Sequence, residues 1–317
     1  YKVVIPTAGI GSRLEKLTKS INKSLISVAN RPILSHVIDQ FPKTCKFVIL
    51  LGYKGLLVKD FLKLAYPERT FYFVNVDKYK GKGSGLGYSL LCCESYLQEP
   101  FVFTSCDTLV KNQIQPPNFN WMGSALVKDL SLYRTLKLKK KYVLNIDEKK
   151  KINIKNKRAY IGLAGVNDYS SFWKAMKNGR NKAIIQGEVY GLSEILKKNK
   201  IKSLEFNWFD TGNPKELIKT RLEFKKKNEP NILEKENEAI WFLNNKVIKF
   251  STDIKFIGRR IKRANKLKGF VPIINNHNKN MYCYNKIKGD VLSDIVNPKL
   301  FKIFLIHSQN FWRRKNL

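Results

Sequence analysis

Gly9, Gly11, Arg13 and Lys23 are the first residues of this chain whose types and spacing could do chemistry. They follow the apolar run Lys2-Val-Val-Ile-Pro6, which reads as a buried strand. Glycines at a strand end let the backbone come close to phosphates, loop N–H groups can point at their oxygens, and Arg and Lys offset the charge. Such a set suits a nucleoside triphosphate. The spacing matches neither common phosphate loop: Gly9-Ile-Gly11 lacks the third glycine of the dinucleotide fingerprint, and it is not the Walker A spacing. Taken alone, Gly-x-Gly after a strand also describes an ordinary strand-to-helix turn.

Positioning these groups falls to alternating elements. Residues 2–6, 47–51, 70–76 and 101–104 read as strands, and 33–40, 54–64 and 84–97 as helices. The alternation predicts a three-layer, Rossmann-like α/β domain with a mostly parallel sheet, whose ligands sit at the carboxyl ends of strands. Both the glycine loop and Asp107, in Thr104-Ser-Cys-Asp-Thr108, fall at such ends. Short strands follow from 123 to 165, with a lysine-rich hairpin or loop at 137–157. Helices are expected at 168–177, 187–198 and 214–227, and a strand at 201–206. Charge and proline at 225–236 mark a linker, which divides the chain into 1–228 and a small α+β region, 229–317. That region reads as a hairpin turning at Asn244-Asn245, a basic helix at 253–266, a strand at 281–286 and a terminal helix at 298–313.

With 43% hydrophobic and 12% aromatic residues in 317, the chain is globular. A net charge of +35 raises nucleic acid or an anionic membrane as a partner. Lysine far exceeds arginine, however, and is scattered with Asn and Ile along the whole chain, as biased codon usage in an AT-rich genome would leave it. No specific nucleic-acid binding is therefore expected. No apolar run approaches the roughly 20 residues of a membrane span and no signal peptide is visible, so the reading is cytoplasmic. The five cysteines and three histidines show no metal or triad spacing, which leaves the chemistry to carboxylates, Lys and Arg.

The strings Gly9-Ile-Gly-Ser-Arg-Leu14, Asn22-Lys-Ser-Leu25 and Asn30-Arg-Pro-Ile-Leu34 resemble the signature of the sugar-phosphate nucleotidyltransferase superfamily. Asn22 and Ser24 replace the two prolines that flank the family lysine, which keeps the charge and is expected to loosen the loop. The resemblance implies attack of a phosphorylated acceptor on the α-phosphorus of a triphosphate, with pyrophosphate leaving and Mg²⁺ held by carboxylates. Arg13 would then hold the β- and γ-phosphates and Lys23 the α-phosphate or the acceptor phosphate, with Ala8 and Gly9 beside the nucleotide. Asp107 is the first candidate metal ligand; otherwise it caps a turn at a strand end. Asp210 is the second, because Trp208-Phe-Asp-Thr-Gly-Asn-Pro214 resembles the family's Trp-x-Asp-x-Gly-Thr-Pro; otherwise it caps the helix at Pro214.

Base choice in this superfamily falls to the segment 75–89, where Gly83, Ser84 and Gly85 could receive a base edge or ribose, or simply form a flexible loop. Asp77-Lys-Tyr79 and the spacing to Tyr88 look like the phosphocholine cytidylyltransferase branch, whereas the glycines look more like the sugar enzymes, and the reading leans slightly to CTP. Acceptor recognition would fall to 160–168 and 186–190, with Gly165 and Glu188 the candidates. Glu188 equally suits a surface position at a helix start. The order of elements after 239 resembles the N-terminal lobe of the choline kinase and aminoglycoside phosphotransferase family, with Lys249 as the strand lysine. Neither the His-x-Asp loop nor the metal-binding Asp of such kinases follows by Leu317, so an incomplete lobe is expected. A homo-oligomer and a non-catalytic, nucleotide-sensing homologue are the remaining expectations.

Overall fold

A computed structural model describes residues 1–149, 157–225, 230 and 232–309. Two compact units divide the chain, Tyr1–Lys226 and Lys227–Leu317. Parts of four expected elements lie outside the described residues: 150–156 of the lysine-rich hairpin, 226–227 of the helix expected at 214–227, 226–229 and 231 of the linker, and 310–313 of the terminal helix.

Among the described residues of the N-terminal unit, a nine-stranded sheet runs in the order Phe71–Asn75, Lys46–Leu51, Lys2–Pro6, Phe101–Thr104, Lys157–Val166, Trp121–Ala125, Lys202–Glu205, Tyr142–Asp147, Thr135–Lys139. The first four strands are parallel. Val3, Val4 and Ile5 are fully buried between parallel neighbours, and each such side chain contributes about 2 kcal/mol of burial. Beyond Phe101–Thr104 the sheet turns mixed: Lys157–Val166 is antiparallel to both its neighbours, and the hairpin of Thr135–Lys139 and Tyr142–Asp147 closes the far edge. The parallel arrangement expected from the alternation of helix and strand thus holds through the glycine-loop half and recurs beyond it only where Lys202–Glu205 runs parallel to Trp121–Ala125. A tight hairpin cannot join parallel strands, so the short-loop segment pairs antiparallel.

The helices pack where glycine lets them approach. A Cβ on Gly87 would lie 1.9 Å from the Ala183 carbonyl oxygen, so Leu86–Leu91 rests directly on Tyr169–Gln186. This second helix outruns its expected end at 177, kinking at Arg180 and passing through Gly179, which lies under the Tyr190 ring. Trp173, stacked on Phe101 at 5.7 Å, donates from Nε1 to the Leu97 carbonyl at 2.8 Å and ties helix to sheet.

The C-terminal unit is a four-stranded antiparallel sheet in the order Glu238–Leu243, Lys246–Ser251, Met281–Asn285, Ile274–His277. Its hairpin turns at Asn244, which takes φ 49°, a conformation asparagine tolerates. The helix Ile254–Lys266 starts where Asp253 accepts from the Phe256 N–H at 2.9 Å. It lies on Lys246–Ser251 and Met281–Asn285, over a small core that includes Trp241, Phe250, Ile257 and Met281. No helix among the described residues is long and apolar enough to cross a membrane.

Candidate active site

The glycine loop leaves the first strand at Thr7, whose N–H and hydroxyl both donate to the Leu50 carbonyl at 3.0 and 2.8 Å. Ala8 is buried beneath Gly52, and its carbonyl accepts from the Tyr53 N–H at 2.9 Å, whereas Gly9 is exposed with open space where a side chain would stand. Gly11 adopts φ 73°, so any other residue there is strained, and an added Cβ would press on Lys23 and Thr18 at 3.0 Å. The turn Ser12–Thr18 that follows leaves Arg13 exposed.

Asn22 and Ser24 stiffen the lysine loop, contrary to the loosening expected from the missing prolines. Asn22 is fully buried and takes φ −69°, ψ 146°, within the range a proline ring imposes. Its amide donates to the Thr7 and Tyr53 carbonyls at 2.9 and 2.6 Å, and its Oδ1 accepts from the N–H and hydroxyl of Ser24 at 2.9 and 2.8 Å. Hydrogen bonds to three segments thus hold the shape that a ring would otherwise enforce.

Lys23 so held reaches Asp107, with Nζ 3.0 Å from Oδ2 and both side chains about four-fifths buried. Burial opposes both charges, but the mutual attraction outweighs it, holding the Lys23 ammonium above its usual range and the Asp107 carboxyl below its own. Asp210 arrives from a hundred residues downstream. The short strand Trp208–Asp210 pairs with Thr108–Val110, which sets Asp210 opposite Thr108 and beside Asp107. Gly212 marks the point where the groups converge: a Cβ there would lie 3.1 Å from Asp107 Oδ2, 3.1 Å from Asp210 Oδ1 and 3.3 Å from Arg13 Nη2. Burial and the charge of Asp107 raise the Asp210 pKa, against the Gly212 N–H at 2.7 Å and the Tyr133 hydroxyl at 3.0 Å.

The alternative reading of Asp210 as a helix cap fails, because Asn213 caps Pro214–Phe224 by accepting from the Glu216 N–H at 3.0 Å. Two carboxylates set close together around a glycine suit a divalent cation whose remaining ligands would be phosphate oxygens and water. No cluster of three or more acidic, histidine or cysteine ligands exists among the described residues, so the pair would act with substrate oxygens.

Three of the glycine and serine candidates have structural work instead. Gly165 is buried under Trp121, whose Nε1 would be 2.1 Å from an added Cβ, so it cannot receive a substrate. Gly85 admits the Ile184 carbonyl, 2.5 Å from an added Cβ, and serves helix packing. Ser84 folds its own turn, donating through both N–H and hydroxyl to the Gly81 carbonyl at 3.2 and 2.7 Å. Gly83 alone of that trio stands at left-handed φ, 82°, with nothing near it. The glycine that shapes the site from the strand Lys157–Val166 is Gly162, at φ 70°, where the register against Trp121–Ala125 shifts. An added Cβ would meet Ser105 Oγ at 2.7 Å, and its carbonyl accepts the Ser105 N–H at 2.8 Å, fixing the loop that carries Asp107. A lone glycine inside a strand pattern was the available signal.

Glu188 is buried at the first position of Glu188–Leu196 rather than on the surface. Its Oε2 and the buried Tyr160 hydroxyl have no hydrogen-bond partner among the described residues. Arg134, which donates to the Gln186 carbonyl at 2.8 Å, lies near both and directly follows the Tyr133 that holds Asp210. Burial lifts the Glu188 pKa to about 7, against the pull of Arg134. The folded state therefore binds a proton that the unfolded chain has released, so stability falls as pH rises from about 4.5 through 7. Glu188→Gln is expected to flatten this slope and to gain on the order of 3 kcal/mol on wild type at pH 8. Parallel melting curves of the two proteins from pH 5 to 8 would refute it.

The fold around this site is that of nucleotidyltransferases. CTP:phosphocholine cytidylyltransferase from Streptococcus pneumoniae superposes with a TM-score of 0.60 at 18% identity, over 71% of this chain and 99% of that one. In sequence, Bifunctional protein GlmU of Methanococcus vannielii is 24% identical over 241 residues, 72% of this chain and 56% of that protein. A probable glucose-1-phosphate cytidylyltransferase of Bacillus subtilis is 39% identical over 116 residues, 36% of this chain and 42% of that protein. The chain thus spans about half the length of these curated relatives. No protein-family model matches it.

Proposed function

We propose that this protein is a Mg²⁺-dependent nucleotidyltransferase. It moves a nucleoside monophosphate from a triphosphate, CTP before the others, to a phosphorylated sugar or small alcohol, making an NDP-sugar or CDP-alcohol for surface polysaccharide. The observation that carries the reading is the gathering of Asp107, Asp210 and Arg13 around Gly212, so tightly that an added Cβ would press on all three.

In this reading Gly9, Gly11 and Gly83 border the nucleotide, and Arg13 holds the β- and γ-phosphates. Lys23 exchanges Asp107 for the α-phosphate and the acceptor phosphate. Bound between Asp107 and Asp210, Mg²⁺ would neutralise phosphate charge so that an anionic acceptor can approach. An acceptor phosphate oxygen bonds to the α-phosphorus, the bond to the β-phosphate's bridging oxygen breaks, and Arg13 takes up the charge that develops on pyrophosphate. Glu188 and Tyr160, buried against one another, would receive a hydroxyl or amine of the acceptor. The leaning to CTP is supported by the probable cytidylyltransferase relative. No kinase activity is proposed for the C-terminal unit.

Pyrophosphate release with Mg²⁺ tests the reading, crossing five nucleoside triphosphates with sugar phosphates, phosphocholine and related alcohol phosphates. Release with CTP and a single acceptor class is expected. Tight triphosphate binding with no release for any acceptor would instead make the protein a nucleotide sensor.

A further inference from the structure

In the C-terminal unit a cavity of about 200 Å³ opens between the helix Ile254–Lys266 and the sheet. Three cations line it: Lys249 from the sheet, and Arg260 and Arg263 from the helix. Leu267, Ile274 and Tyr284 supply apolar wall, and no carboxylate takes part. Lys249 Nζ lies over the Tyr284 ring at 6.0 Å and the Arg260 guanidinium over Phe256 at 4.8 Å, contacts that orient a cation without neutralising it.

The nearby acids are engaged elsewhere. Glu238 reaches Lys235 at 3.5 Å, and Asp253 reaches Arg259 at 3.5 Å while capping the helix. Among the described residues, none of the three lining cations forms an ion pair. Burial and then Arg260 lower the pKa of Lys249, and the more weakly acting Glu238 carboxylate does not offset them. Like charges converging on one cavity are destabilising unless an anion completes them.

We propose that this cavity binds a small phosphate monoester. The phosphoryl group is held by Lys249, Arg260 and Arg263, and its organic part lies on Leu267, Ile274 and Tyr284. Two guanidinium forks and an ammonium match a doubly charged tetrahedral anion better than a single carboxylate. The volume is below the roughly 300 Å³ at which sites for larger ligands begin, which favours a compact ligand over a nucleoside triphosphate. This assignment stands apart from the transferase reading, since every lining residue belongs to the C-terminal unit.

Calorimetric titration of the full chain with phenyl phosphate tests it, with inorganic phosphate and phenol as single-part probes. Phenyl phosphate is expected to bind more tightly than either probe. Lys249→Met should weaken it at least about tenfold, Lys249→Arg should restore it to within about threefold, and Arg13→Ala should leave it unchanged. Equal affinity in wild type and Lys249→Met overturns the proposal. So does loss of binding in Arg13→Ala, which would move the ligand to the N-terminal unit. Inorganic phosphate binding as tightly as phenyl phosphate would overturn the assignment of the apolar wall.

Discussion

Asp107→Asn is expected to lower pyrophosphate release at least about a thousandfold while the chain still unfolds cooperatively. Asparagine has the size of aspartate and its Oδ1 can still accept from Lys23, so the 3.0 Å contact survives as a neutral-acceptor hydrogen bond. What disappears is a negative charge four-fifths buried beside Lys23, Arg13 and Asp210. With it goes half of the carboxylate pair gathered around Gly212. Lys23 is then left with less compensation, and a loss of about 1–3 kcal/mol in stability accompanies the change. Release at the wild-type rate in a folded variant would remove Asp107 from the site. Release restored on raising Mg²⁺ would confirm that the lost group is a metal ligand.

Asn22→Ala is expected to cost about 3 kcal/mol and to lower the melting temperature by about 10 °C. The change strips donors from the Thr7 and Tyr53 carbonyls and an acceptor from Ser24, all at a position with no solvent exposure to replace them. Asn22→Pro restores the family residue and fits the φ of −69°, yet it leaves the same carbonyls without donors and should be no more stable than alanine. Lys23, one residue away, would lose its anchor, and turnover of either variant should fall about tenfold or more even where the protein is folded. Melting within about 2 °C of wild type would show that the buried amide is not what holds the loop.

These two positions differ in how they could be found. Asp107 lies three residues past the buried strand Phe101–Thr104, at a strand end where side chains are presented to ligands whatever the rest of the chain does. Asn22 showed itself in the sequence only as a departure from a pattern, and its effect was misread as loosening, because its partners Thr7 and Tyr53 lie 15 and 31 residues away. Tyr133, which holds Asp210, had no sequence signal at all.

The chain's own pattern determined the glycine loop, the four parallel strands, most helix positions and the change of character near 225–236. Each of these follows from local backbone preference and from burial repeating every two or nearly four residues, which a short window contains. That Asp107 and Asp210 belong together was legible only through the motif resemblance; what joins them is a three-residue ribbon too short to leave a periodic signal. Tertiary structure alone decided that Gly162 shapes the site while Gly165 disappears under Trp121, and that Glu188 is buried with a pKa near 7. The physical reason is the same in each case: close packing and charge act between residues brought together by register and sheet order, and those are set by the whole chain at once.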